Sequence, residues 1–332
     1  MSEPIDAAPS AGGPQLRVRR ERLLRGPDLR EAGLLAFGLA LTRIDSPRLW
    51  SAAASRMAQF GSPRRRGRYR RFAERVCAFY GASDEAREQA LWYDMHAAIH
   101  RRRLATIAEW SGSGFAPEIE VEGADRVQDA LRGGRGVILW FDNFVNHQVI
   151  GKKGLHGAGL GGWQVSWTRH GFSSSRLGRK YLNPVQIAAE GRYVDGRIEF
   201  DARSALTATR QITRVLAGNG IVRITNNAYI GRKFVAAPLG RRAVVPIATT
   251  PLNLSLKLGA PILPVAAVEV RPLAHYRVLV APPLDIGGWK DDSDFAEAAA
   301  HYGAYLRPLI EAYPAQWRGW AGSLRPASPP VP

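Results

Sequence analysis

Hydrophobic and polar residues follow two different spacings along this chain, and the change between them divides it into two parts. In residues 28–110, apolar side chains recur at the three- and four-residue spacing of helices. From Glu118 onward, short β-rich runs alternate with helical stretches. This alternation predicts an α/β fold with a mixed sheet covered by helices, preceded by an amino-terminal helical layer.

Individual runs within the second part predict particular elements. Residues 204–216 should form a helix that is capped by Asp201 or Ser204 and ends at Gly218. A later helix should begin after the acidic residues 291–294, whose charges complement a helix amino terminus. Strands are predicted for the apolar runs 136–141, 163–167, 220–224, 243–247, 262–270 and 276–280.

Composition divides the chain into four segments. Residues 1–26 are rich in Ala, Pro, Gly, Ser and Arg, and we expect them to be disordered. Residues 27–115 should form the helical layer, and residues 116–323 the α/β domain. Residues 324–332 should form a second disordered tail.

Charge limits the partners that this chain can have. The 332 residues carry a formal net charge of +17, which favours polyanions such as nucleic acid, anionic lipid or an acidic carrier protein. The most basic run, residues 64–71, includes Tyr69 and is followed by Phe72. It suits an anionic membrane surface or remains a solvated charged face, whereas the chain has no recognisable nucleic-acid-reading module. We therefore do not expect nucleic acid to be the partner.

Membrane spans, metals and cofactors are not indicated. The longest apolar stretch, residues 33–41, is much shorter than the ~18 to 20 residues that cross a bilayer. The polar first residues do not form an export signal, so we expect a cytoplasmic protein that lies on the inner face of the cell membrane. His96 and His100 are the one histidine pair at metal spacing, and the arginines at 101–103 would oppose a cation. The glycines at 157–162 precede a predicted strand instead of following one, so they predict a loop and no dinucleotide site.

The order of the blocks carries the most specific signal. Residues 122–149 contain a helix, an apolar strand and the run Phe-Asp-Asn-Phe-Val-Asn-His-Gln-Val. Together with the later blocks, they resemble the bacterial lipid A lauroyl/myristoyl acyltransferase family, with Phe144 and Asn146 on that family's Phe and Asn. The later blocks that resemble the family are 167–169, 216–222, 231–240, 257–265 and 313–317, with Trp320 behind the last.

The resemblance, which covers residues 83–326, implies a fatty acyl transfer. In the family, a histidine acts as general base on an acceptor hydroxyl, which attacks the thioester of an acyl carrier protein or coenzyme A, and a glutamate orients the histidine. Here Asn143 and Gln148 occupy those two positions. A neutral amide does not take the proton, and general-base catalysis contributes ~10² to 10⁴ in rate. Asn226 and Asn227 likewise occupy a turn where the family has aspartates, and they are candidates for binding the acceptor substrate.

Two further groups of residues are candidates for the site. Asp142 and His147 repeat the five-residue offset of the lost pair in the opposite order and could replace it. His147 lies about 100° around a helix from Gln148, however, so it would face away unless the turn is rearranged, and it could simply cap or pack. Arg169 and Arg192 are candidates for holding phosphate or carboxylate groups of the acceptor.

The resemblance therefore leads to two alternative functions. In the first, the chain transfers a fatty acyl group from acyl carrier protein or acyl-CoA to a membrane glycolipid or another amphiphilic lipid acceptor. In the second, it is a catalytically inactive protein that binds an acyl chain or a lipid, or that is the partner of an active acyltransferase. Both imply a groove for a long acyl chain, formed by residues 141–149 and 234–240.

Overall fold

A computed structural model of the chain describes residues 22–60, 65–168, 170–201, 204–226, 233–285 and 295–327. Within these ranges, four helices precede the first strand, and strands then alternate with helices. The helices are α1 (Gly26–Thr42), α2 (Pro47–Gln59), α3 (Arg65–Tyr80), α4 (Glu85–Ser111), α5 (Ala124–Arg132), α6 (Ile150–Gly157), α7 (Arg176–Tyr181), α8 (Asn183–Gly191), α9 (Ala205–Ala217), α10 (Thr250–Leu258) and α11 (Phe295–Ala312). The strands are β1 (Glu118–Glu122), β2 (Val137–Phe141), β3 (Trp163–Trp167), β4 (Gly196–Phe200), β5 (Ile221–Thr225), β6 (Phe234–Pro238), β7 (Ala243–Ala248), β8 (Ile262–Arg271), β9 (His275–Val280) and β10 (Arg325–Pro326).

Seven of the described strands form one mixed sheet in the order β1-β9-β8-β2-β5-β3-β4. The strands from β8 to β4 are parallel to one another, whereas β9 and β1 run the other way. A smaller antiparallel sheet joins β10, β7 and β6. The predicted α/β class, a mixed sheet covered by helices, is confirmed.

The central strands β2 and β5 are buried along their whole length because helices cover both faces of the sheet. Alternate residues of β2 point to opposite sides, so Ile138 and Trp140 belong to one hydrophobic core, and Val137, Leu139 and Phe141 to the other. The sheet is thus the middle layer of a three-layer structure.

Helix α4 is the central element of the amino-terminal helical layer. Its amino end is capped by Asp84, whose carboxylate accepts a hydrogen bond from the backbone of Arg87 at 3.1 Å, and it ends at Gly112, whose φ of 68° is left-handed. The helix packs against α1, α2 and α8. This packing buries Arg102, near the middle of α4, beside the loop that follows β2.

The carboxyl-terminal boundary lies beyond the predicted one. Leu324, which the composition assigned to the disordered tail, is buried, and its carbonyl accepts a hydrogen bond from Arg75 at 3.1 Å. Strand β10 then pairs with β7. The reason is that Leu324 contributes an apolar side chain to the main core, which composition alone does not reveal. The remainder of the predicted tail, residues 328–332, and residues 1–21 lie outside the described ranges.

Candidate functional site

Several buried polar residues lie where the central parallel strands end, the edge at which open α/β sheets usually bind ligands. Asp142 directly follows β2 and is fully buried. Its Oδ1 accepts a hydrogen bond from the hydroxyl of Tyr302 on α11. Asn226 directly follows β5, and its side chain is hydrogen-bonded to the same hydroxyl. The ends of two strands and one helix therefore meet in an Asp142–Tyr302–Asn226 cluster.

Burial controls the protonation of this cluster. It raises the pKa of Asp142 to about 8, although the hydrogen bond from Tyr302 opposes the shift. Asp142 is therefore mainly protonated at neutral pH. Its second oxygen, Oδ2, has no hydrogen-bond partner in the part of the chain that the structure describes. Burial also raises the pKa of Tyr302 well above its usual value.

The loop after β2, residues 142–149, is held in place by the terminal segment, residues 313–320. Phe144 pairs with Trp317, and the backbone of Val145 donates a hydrogen bond to the carbonyl of Gln316 at 2.8 Å. The Gln316 side chain both donates to and accepts from the backbone of Glu269 on β8, with both distances at 2.7 Å. Two sequence blocks that both resemble the acyltransferase family, but lie far apart in the chain, are therefore in direct contact.

His147 lies in this loop as a buried, neutral side chain. Its Nδ1 is 2.5 Å from the carbonyl oxygen of Phe144, so Nδ1 carries the proton and donates it. Burial lowers its pKa to about 3, and repulsion by Arg318 and Lys152 contributes in the same direction. No hydrogen bond joins His147 to Asp142 within the described residues. The replacement pair stays a prediction, and its chemistry would require the loop to rearrange.

Gln148, on the family's glutamate position, faces a cation instead of an imidazole. Its Oε1 accepts a hydrogen bond from Nη1 of Arg102. Burial, together with repulsion by Arg318 and Arg103, lowers the pKa of Arg102 to about 9. Asn143, on the family's histidine position, is half-buried, and its carbonyl accepts a hydrogen bond from the backbone of Arg318 at 2.9 Å.

A buried ion network lies next to this loop. Lys152 on α6 donates to Glu190 on α8, and His170 lies 2.8 Å from the other carboxylate oxygen, which also accepts from Gln186 at 2.7 Å. Burial alone would raise the pKa of Glu190, but the charges of Lys152 and His170 outweigh it and hold that pKa well below the usual range. Both carboxylate oxygens of Glu190 are bound by these side chains, so its negative charge has a structural role.

The predicted acceptor-binding residues have different outcomes. Asn226 lies in the site, while Arg169 and Asn227 fall outside the described residues. Arg192 donates to the carbonyls of Glu109 and Trp110 at 2.5 and 3.3 Å, which places its guanidinium at the carboxyl end of α4. These contacts stabilise a helix end and are not made with the loop after β2. A role for Arg192 in acceptor binding stays a prediction.

A cavity of about 580 Å³ opens beside the end of β3. Its lining combines cationic and apolar side chains: Leu23, Thr168, Arg176, Leu177, Arg179 and Lys180. The amino end of α1 is tied to the same region, because the Ser173 hydroxyl donates to Asp28 at 2.5 Å. Such a lining suits an anionic group attached to an apolar tail.

Three side chains of types that can bind a metal lie close together outside this site. Ligand atoms of Glu118, Glu120 and His275 lie within 4.8 Å of one another on the edge strands β1 and β9. The two glutamates are exposed, and His275 pairs with Glu120 at 3.0 Å. Cross-strand ion pairing accounts for this group.

Several important residues of the site were not assigned a role from the sequence. Tyr302 lies in an apolar helix far along the chain, and no local pattern links it to Asp142. Arg102 belongs to the basic run 101–103, and its sequence context indicates only that the run would oppose metal binding by His96 and His100. Gln316 stands in the terminal block that resembles the family, so that block was the one signal available for its contact with the loop.

Comparisons with known proteins add little beyond the residues themselves. No family model matches the chain, and no curated protein matches it. Among solved structures, the chain is similar to the crystal structure of the 1-acyl-sn-glycerophosphate (LPA) acyltransferase PlsC from Thermotoga maritima. That similarity has a TM-score of 0.37 and 12% sequence identity, and it covers 86% of this chain and 99% of the other.

Proposed function

We propose that this chain is an acyltransferase-like protein that binds a fatty acyl chain, supplied as a thioester of acyl carrier protein or coenzyme A. The observation that carries the proposal is the contact between the loop 142–149 and the terminal segment through Phe144, Gln316 and Trp317. Both segments resemble the acyltransferase family, and their contact lies at the ligand-binding edge of the expected fold class. The acceptor would be a membrane glycolipid or another amphiphile.

Transfer by the family's usual route should be slow. Asn143 and Gln148 have no group that takes a proton at neutral pH. His147 is a weak base because its pKa is near 3, and its Nδ1 is bound to the carbonyl of Phe144. Residual transfer would come from positioning of the thioester and acceptor, or from a rearranged loop that releases His147.

The surface supports a place at an anionic membrane. Helix α1 exposes Leu29 and Phe37, and Arg30 and Arg43 are exposed at the same helix and its end. Exposed arginines on α3 add to the positive surface. Apolar side chains among cations favour the interface of an anionic bilayer. Within the described residues, no helix is long and apolar enough to cross a membrane. We propose that the protein lies peripherally on the inner face of the cell membrane.

The second candidate function is lipid binding without transfer. It is favoured by the buried, neutral state of His147 and by the two amides at positions 143 and 148. The same fold would then hold a lipid or accompany an active acyltransferase.

Consumption of acyl thioesters separates these two functions. Purified full-length chain is incubated with acyl-CoA or acyl-acyl carrier protein, with and without anionic liposomes that contain glycolipid, and free thiol release is followed over time. Slow thiol release that depends on the acceptor lipid would support transfer. Binding of the thioester without thiol release would support the lipid-binding function, and absence of both would contradict the whole proposal.

A further inference from the structure

Two arginines next to the loop 142–149 form an unusual concentration of positive charge: Arg102 donates to Gln148, and the backbone of Arg318 donates to the carbonyl of Asn143 at 2.9 Å. Arg102 on α4 is buried, and its Nε has no hydrogen-bond partner in the part of the chain that the structure describes. Arg318 is half-buried and close enough to Arg102 for the two charges to repel each other. No acidic oxygen lies within 4.0 Å of either guanidinium among the described residues. Buried cations without a counter-ion are costly, so this arrangement indicates a ligand.

The nearest carboxylates are already used by other cations. Glu31 pairs with Arg103 at 2.6 Å and with Arg30 at 3.2 Å. Glu190 is bound by Lys152, His170 and Gln186. Both glutamates attract the charge of Arg102 from a distance, but repulsion by Arg318 and Arg103 and the effect of burial outweigh this attraction. Neither glutamate forms an ion pair with Arg102 or Arg318 among the described residues.

We propose that Arg102 and Arg318, with the side chain of Gln148, form an oxyanion site for the carboxylate or phosphate monoester at the head of a bound amphiphile. This inference rests on the proposed function, because it assumes that the acyl chain lies along the same loop. It assigns a new task to position 148, where the family that the sequence resembles has the glutamate that orients its general base: here the side chain helps to bind a negative charge.

The chemistry of the three side chains fits an oxyanion. Planar guanidinium groups bind carboxylate and phosphate oxygens with two parallel hydrogen bonds. Gln148 accepts one hydrogen bond from the guanidinium of Arg102. Because Gln148 is neutral, it does not cancel the positive charge of Arg102. A glutamate at 148 would neutralise Arg102 from within the chain. Because Gln148 and Arg318 are both half-buried, an anionic group can reach the cluster from solvent.

Binding of small amphiphiles to the full chain tests the site. Isothermal titration calorimetry would compare dodecanoate, dodecyl phosphate and a neutral dodecyl glycoside, each below its micelle concentration, with inorganic phosphate as the probe without a tail. The variants are Arg318→Gln and Gln148→Glu, and Arg307→Gln is the matched control that removes an exposed arginine charge elsewhere. Thermal melts check that each variant is folded, and Gln148→Glu should melt at a higher temperature because it supplies Arg102 with a counter-ion.

We expect the two anionic amphiphiles to bind about tenfold or more tightly than the neutral one, as hydrogen bonds to charged groups imply. Arg318→Gln and Gln148→Glu should each weaken anion binding by about tenfold and leave the neutral amphiphile unchanged, while Arg307→Gln changes neither. The tighter of dodecanoate and dodecyl phosphate identifies the head group.

Equal affinity for charged and neutral amphiphiles, or anion binding that survives both site variants, would overturn the oxyanion site and leave acyl-chain binding intact. Binding of inorganic phosphate that requires Arg318, without binding of any amphiphile, would support the oxyanion site and contradict the proposed function. The two ideas therefore fail in different ways.

Discussion

At the scale of single residues, burial shifts Asp142 and His147 in opposite directions. The pKa of Asp142 rises to about 8, and that of His147 falls to about 3. Both side chains are therefore mainly neutral at pH 7. A general base works best when its pKa is near the operating pH, so the low pKa of His147 makes it unsuited to that role in this conformation. The pKa of Asp142 lies near that pH, but its carboxyl group is fully buried and one of its oxygens is bound by the Tyr302 hydroxyl.

Replacing Asp142 by asparagine should change how stability depends on pH. An unfolded aspartate titrates near pH 4, so between about pH 4 and 8 the folded protein holds a proton that the unfolded chain has lost. The stability of the wild type relative to Asp142→Asn should therefore decrease as pH rises through this window. Melting temperatures of both proteins from pH 5 to 8.5 measure it, and a difference that does not vary with pH would contradict the burial argument.

Two changes to the loop test how any turnover arises. His147→Ala should abolish residual thiol release if Asp142 and His147 act together, and should leave it unchanged if positioning alone drives the reaction. Asn143→His combined with Gln148→Glu should raise turnover, by up to the ~10² to 10⁴ that a general base contributes, if the surrounding site still suits acyl transfer. Vigorous wild-type activity that survives His147→Ala would mean that the catalytic residues lie elsewhere.

The sequence could place the residues of the loop but not their partners. Asn143, His147 and Gln148 were recognised from one contiguous motif. Tyr302, Arg102 and Arg318 come to this loop from positions distant in sequence. The packing of α4 and α11 places the first two, and the segment after α11 places Arg318. Contacts at such separations leave no local pattern.

At the scale of elements, Gln316 connects the terminal segment to both β8 and the loop after β2. Its amide side chain accepts from the backbone N–H of the buried Glu269 and donates to the carbonyl of the same residue, as a neighbouring strand would. It also lies 3.4 Å from the amide of Asn146. One side chain thus fixes the position of the loop that carries His147.

Gln316→Ala should destabilise the protein by about 2 to 4 kcal/mol, because it leaves a buried backbone N–H and C=O without partners. Urea denaturation gives the free energy of unfolding, and Gln89→Ala, at an exposed position on α4, serves as the control with an expected change below about 0.5 kcal/mol. If both substitutions cost the same, the Gln316 contacts do not hold the loop.

The predicted strands and helices were found where burial leaves a clear apolar pattern in the sequence. All six predicted strands were found, because their residues form continuous or alternating apolar runs. The helix at α9 begins after Ser204 and ends before Gly218, as predicted, and the glycines of 157–162 lie between α6 and β3. Strands β1, β4, β6 and the two-residue β10 were missed. The sequence of β1, Glu-Ile-Glu-Val-Glu, belongs to an edge strand whose glutamates are exposed, and such strands have weak apolar patterns.

At the scale of the whole molecule, positive charge and exposed apolar residues occur on the same helical layer. In the proposed membrane association, the net charge of +17 should attract the protein to anionic bilayers, and Leu29 and Phe37 of α1 should enter the interface. Charge should provide the long-range attraction, and the apolar side chains the contact.

Co-sedimentation with liposomes tests this division of roles. The protein should bind anionic liposomes more strongly than neutral ones and should lose binding at high salt. Replacing both Leu29 and Phe37 by serine should reduce binding by about tenfold or more, since a fully buried apolar side chain contributes about 1.5 to 3 kcal/mol and about 1.4 kcal/mol corresponds to tenfold. Leu206→Ser, at an exposed position on α9, is the matched control. Equal binding to both kinds of liposome would contradict the membrane proposal.

The most direct test of the account is whether the chain holds a long acyl chain. Lipids extracted from gently purified protein would be identified by mass spectrometry, and displacement of a fluorescent fatty acid would measure binding. The account predicts saturable binding of one acyl chain per protein, whether or not the protein is catalytic. A protein that neither retains nor binds any lipid would contradict it.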